Sequence, residues 1–157
     1  MSEEQYPSID IVLDEARRKL DFQFQQLDGL DTKSGTLLGI NGVLMALLIT
    51  GVIEYSHQPN IILVKLALAP IFISFILSLI SIITRNWDNP PKLKYLRSKY
   101  IDKNAVETKL SIIDIFIEAV ENNTGRIQFK ISLWRLSYVT LALGVILFSI
   151  WALLIVI

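Results

Sequence analysis

Asp28, Asp31, Lys33 and Asn41 bracket the point where a charged segment gives way to an apolar run, and Arg135 sits at the corresponding edge of the last apolar run. A carboxylate, ammonium or amide at such a boundary costs several kcal/mol unless it finds a partner. Two kinds of chemistry answer that cost. One is internal: Asp31 pairs with Arg135, Lys33 reaches lipid headgroups, and Asn41 makes an interhelical hydrogen bond. The other is collective, with a ring of Asp28, Asp31 and Asn41 lining an opening between several copies. Covalent chemistry finds no purchase. There is no G-x-S-x-G, H-E-x-x-H or G-x-x-x-x-G-K, one histidine (His57), and no cysteine to act as nucleophile or thiolate ligand. No catalytic residue, metal or cofactor is expected.

The elements that must position these groups are helices. From Ile9 to about Ile53 no proline or turn cluster interrupts the chain, which predicts one helix that begins in water and ends in lipid, with Ser8 before it as N-cap. At 100° per residue, Ile9, Leu13, Leu20, Leu27, Asp31, Ser34, Leu38 and Asn41 follow one stripe, apolar except at Asp31, Ser34 and Asn41. A second stripe carries Gly35, Gly39, Gly42 and Ala46, small enough for a neighbouring backbone to approach closely. Ser74, Ser78 and Ser81 form a small-residue face on the next apolar run, suited to meet that glycine stripe.

The chain is 52% hydrophobic with mean hydropathy +0.49, too apolar for an ordinary soluble domain. The expected fold is all-α: one integral membrane helical bundle with three transmembrane helices. Its parts are a cytosolic stalk at 8–35, spans at 36–53, 61–84 and 136–157, and a cytosolic helical insert at 86–128. Each span is long enough for a hydrocarbon core of roughly 30 Å. Within the insert, Asp88-Asn89-Pro90-Pro91 forms a turn, a short basic helix follows over 92–101, and a helix over 105–121 is apolar at Val106, Leu110, Ile113, Ile117 and Val120. That face is the natural partner of the stalk. Asn122-Asn123-Thr124-Gly125 is expected to end it, with a new helix starting near Gly125.

Residues 1–35 hold four Lys/Arg, the loop after the first span none, residues 85–135 ten, and the end of the chain none. The excess of basic residues on the inner side places the amino terminus in the cytoplasm and the carboxyl terminus outside. Neither charged block is basic enough for nucleic acid. The lipid bilayer and further copies of the same chain are the expected partners.

Asp31-x-Lys33 before Leu37-Leu38, Asn41-Gly42, a second span ending at Arg85, a helical insert, and Lys130-x-x-x-Trp134-Arg135-x-Ser137-Tyr138 together resemble the transmembrane module of Pycsar-type effectors. They are similar, more loosely, to the SLATT group. The resemblance covers nearly the whole chain. It implies an oligomeric bacterial or archaeal inner-membrane protein that impairs membrane integrity when a nucleotide signal of antiviral defence arrives, with Asp31, Lys33, Asn41, Gly42 and Arg135 involved. Here Ser34 and Arg85-Asn86 stand where relatives often have alanine and Arg-Pro. No segment has the pattern of a cyclic-nucleotide-binding domain, so a soluble sensor or nucleotide-signalling partner is expected. The competing reading is a non-conducting scaffold that docks a soluble partner through its cytosolic helices.

Overall fold

A computed structural model describes residues 6–54, 61–83 and 87–156. The expected loop at 55–60 and the boundary at 84–86 lie outside the described residues. Helices dominate: α1 spans Ile9–Glu54, α2 Ile61–Ile83, α3 Leu93–Tyr100 and α4 Ala105–Val156. Three of them, α1, α2 and α4, are long and apolar enough to cross a membrane, with mean hydropathies of 2.1, 2.6 and 2.1 in their most apolar stretches.

Helix α1 opens with the Val12 N–H donating to the Ser8 carbonyl at 3.0 Å, and Asp10 in its first turn complements the positive end of the helix dipole. It then runs through Asp31 to Gly42 without a break, as the absence of turn residues requires. Helix α4 is capped by Asn104, whose side-chain oxygen accepts the Val106 N–H at 2.9 Å.

Where the sequence predicts a stop at Asn122 to Gly125, α4 continues. The polar groups there are engaged elsewhere. Asn123 accepts the Asp88 N–H and donates to the Asp88 carbonyl, both at 3.0 Å, and Asn122 donates to the Asp88 carboxylate at 2.8 Å. Thr124 donates back to the Val120 carbonyl at 2.7 Å, within the helix. Residues that favour turns because they compete for backbone hydrogen bonds lose that advantage once another segment occupies their side chains.

The chain divides into two compact units. The first takes its described residues from 1–28 and 86–128. Ile9, Val106 and Ile113 form its buried cluster with Tyr6, Leu13 and Leu110 packed around them, so the face of α4 at 105–121 does cover the stalk. Ile117 departs from that face and is 45% exposed. Gln23, buried on α1, donates to the Val120 carbonyl at 3.0 Å and to Thr124 at 3.1 Å, and Lys109 pairs with Asp10 at 2.9 Å. The Asp88 carboxyl sits below the ordinary carboxylate range, chiefly because the Asn122 amide donates to it; burial pushes the other way, and the Arg126 guanidinium at 3.2 Å adds to the lowering.

The second unit takes its described residues from 29–85 and 129–157. Its core is Leu37 and Leu48 from α1, Val64, Ala67 and Ile71 from α2, and Leu141 and Trp151 from α4. The arrangement inverts that of a water-soluble domain. Val43, Leu47, Ile73, Val139 and Leu143 are exposed, while Ser34, Asn41, Ser74, Ser78, Ser81, Lys130 and Ser137 are buried. Aliphatic side chains outside and hydrogen-bonding ones inside suit a hydrocarbon solvent.

Candidate functional site

The buried polar groups of the second unit form a seam shared by α1, α2 and α4. Ser34 and Asn41 lie seven residues apart on α1 and therefore on one face, as do Ser74, Ser78 and Ser81 on α2 at steps of four and three. The Ser34 and Ser81 hydroxyls meet at 3.0 Å. The Asn41 amide donates to Ser74 Oγ at 2.9 Å. Ser74 donates to the Ser137 carbonyl at 2.8 Å, Ser137 donates back to the Ser74 carbonyl at 2.9 Å, and Ser78 meets Ser137 Oγ at 2.7 Å. This reciprocal pair joins α2 to α4, each serine hydroxyl donating to the backbone carbonyl of the other residue. In a membrane each such bond contributes about 0.6 kcal/mol, up to about 1.7.

Along α4 from this seam, Lys130, wholly buried, forms an ion pair with Asp31, whose side chain is one-third exposed. Lys33 is exposed and holds its ammonium 5.4 Å from the centroid of the Trp134 ring, which in turn stacks on Tyr138.

Two expectations are corrected here. Asp31 pairs with Lys130 and not with Arg135, which is exposed. At 100° per residue Arg135 lies about 140° round α4 from Lys130, so both cannot face Asp31. The serine face of α2 meets Ser34 of α1 and Ser137 of α4, with Asn41 bonded to Ser74, and not the glycine stripe. A hydroxyl removed from water gains by facing another hydrogen-bonding side chain, and glycine offers none.

Gly35, Gly39, Gly42 and Ala46 are exposed, and a Cβ added at any of the three glycines would meet no atom within 4 Å. Asp28 is exposed on α1 in the first unit. Close helix packing inside the chain falls to other glycines. A Cβ on Gly144 would overlap the Ile71 side chain and stand 3.2 Å from the Ala67 carbonyl, and one on Gly51 would press on the Trp151 ring at 3.1 Å. Sequence reasoning singled out neither glycine, nor Lys130 as the partner of Asp31. The seven-residue step from Lys130 to Ser137 carried the signal, since it puts the lysine on the stripe that enters the seam.

Three membrane-length helices around a polar interior define an α-helical integral membrane protein. The model of the Pycsar effector protein domain matches residues 15–157, and the chain belongs to that family. It is thereby a membrane effector of antiviral signalling. No curated protein and no solved structure is detectably similar to it.

Proposed function

We propose that the protein permeabilises the inner membrane when copies assemble, acting as a pore-forming effector with its amino terminus in the cytoplasm and its carboxyl terminus outside. The observation that supports this reading is the α1 face bearing Gly35, Gly39, Gly42 and Ala46: it lies on an apolar helix, is exposed in a single copy, and has open space over each glycine. A second copy could bring its backbone against that face more closely than lipid packs. A soluble sensor supplies the nucleotide signal.

Controlled expression with a membrane-potential dye tests the reading. The wild type is expected to depolarise cells, and Gly39→Leu combined with Gly42→Leu to abolish the effect while the protein still inserts. A silent wild type, or an unchanged glycine variant, would refute it.

One further observation favours the scaffold reading. An open groove of about 400 Å³ in the first unit is lined by Leu13, Leu20, Pro90, Pro91 and Phe116, with Asp14, Arg17 and Asp21 at its polar edge. A stoichiometric soluble protein lost on Phe116→Asp, together with no ion flux in liposomes, would support docking over conduction.

A further inference from the structure

Asp14, Asp21, Asp28, Gly35 and Gly42 follow one another along α1 at steps of seven residues, and all five are exposed. Seven residues bring an α-helix to within about 20° of two full turns, so the carboxylates prolong the glycine stripe into the stalk. Arg17 lies on the same side. Neither Asp14 nor Asp21 forms an ion pair among the described residues. Two copies meeting stripe to stripe along α1 would set each carboxylate against its own counterpart, and like charges repel. A copy that packs on this side must bring a surface of the opposite sign.

Residues 92–103 carry such a surface. They hold Lys92, Lys94, Arg97, Lys99 and Lys103 against a single acid, Asp102. All six are exposed, and none forms an ion pair among the described residues. Helix α3 turns Tyr100 inward, where it is 6% exposed, and leaves Lys94, Arg97 and Ile101 on its outward side at helical spacing, Ile101 at 67%. Within the first unit Leu96 lines one open groove with Leu13, Asp14, Leu20 and Asp21, so α3 sits level with that stretch of α1. Copies inserted the same way round are related by rotation about the membrane normal, which leaves every group at its own level. A neighbour's α3 therefore stands level with Asp14 and Asp21. The spans agree as well: α3 has eight residues, about 12 Å, and aspartates seven residues apart stand about 10 Å apart along the axis.

We infer that the outward face of α3 docks on a second copy of the chain, its Lys94 and Arg97 against Asp14 and Asp21 of the neighbour's α1. The contact presupposes the assembly of copies proposed above and adds the surface that selects the partner. A neighbour offering α3 is drawn in, and one offering its own acidic stripe is turned away.

Full-length chains carrying two different affinity tags are co-reconstituted in liposomes of phosphatidylcholine, whose headgroup has no net charge, and extracted in mild detergent. Capture through one tag and detection of the other measures association. Asp14→Lys with Asp21→Lys leaves bases facing bases, and Lys94→Glu with Arg97→Glu leaves acids facing acids. An exposed ion pair shifts an equilibrium by about 1.4-fold at the least, and reversal turns attraction into comparable repulsion, so each variant should capture itself about fourfold less than the wild type, or worse. Mixed together, the two variants should capture each other as the wild type captures itself, which also shows that both are folded. Self-capture unchanged in either variant overturns the proposal, as does a mixture whose members stay apart. Ion flux through the same liposomes separates this contact from the pore. Association that follows the charges without flux refutes conduction alone, whereas flux and capture indifferent to both reversals refute the α3 contact alone.

Discussion

Gly144→Ala, set beside Gly39→Ala, separates the glycines that this fold requires from those it leaves open. Both changes replace glycine by alanine inside a helix and gain the same intrinsic term, about 1 kcal/mol or less. Their difference therefore reports packing alone. At Gly39 the new methyl meets nothing within 4 Å. At Gly144 it overlaps the Ile71 side chain, itself wholly buried, and stands 3.2 Å from a backbone carbonyl that cannot rotate away. Forcing a methyl into a filled core costs about 1–3 kcal/mol. Gly144→Ala should thus be less stable than Gly39→Ala by about 1–3 kcal/mol, a five- to 150-fold shift in the folded ratio. Gly144→Val, with two further carbons, should lose more. Reversible unfolding in mixed micelles, monitored by tryptophan fluorescence on a monomeric preparation, measures the difference. Equal stability of the two alanine variants would refute the close approach of α2 and α4 at this position.

Asp31→Asn removes the carboxylate that pairs with the buried Lys130 ammonium and should destabilise the fold by on the order of 3 kcal/mol, toward the low end for a broken buried pair because Asp31 is one-third exposed. Asp31→Leu with Lys130→Met removes both charges, and the same unfolding assay should show most of that loss recovered. Asp88 is held below its ordinary range in the folded protein, so it binds its proton less readily folded than unfolded. Its stabilising effect is therefore present above the unfolded carboxylate value, about pH 4, and is lost as pH falls through the lower folded value. Hydrogen exchange at the Asp88 amide, which Asn123 accepts, should accelerate relative to neighbouring amides across that window, and Asp88→Asn should flatten the response.

The long first helix was legible because forty-six residues contain no residue that must break it. The covered face of the stalk was legible for a similar reason, since Val106, Leu110 and Ile113 recur at helical steps. The continuity of α4 was not. Asn122, Asn123 and Thr124 favour a turn in isolation, and only Asp88 and Gln23, distant in sequence, supply the partners that keep them helical. The polar stripe of α1 was visible together with its need for partners, yet periodicity gives a face and no neighbour. Arg135 and Lys130 were both within a few residues of the boundary, and only the rotation of α4 decides between them. Small residues were the hardest to place. Spacing marks Gly35, Gly39 and Gly42 as a row, whereas the tight contacts are made at Gly51 and Gly144, where a single bulky side chain arrives from another helix.

The reciprocal bond between Ser74 and Ser137 bears on ion traffic. Because the Ser74 and Ser137 hydroxyls answer one another inside each copy, they are already spent and cannot dress the wall of a conduit. Water threading between neighbouring protomers along α1 would instead run past glycine, alanine, Thr50 and aliphatic flanks from Gly35 onward, with Asp28, exposed seven residues before Gly35 and so on the same face, supplying a fixed charge ahead of them. Such a leak would sort ions by size along its glycine-lined length and by sign only at the Asp28 carboxylates, which favour cations.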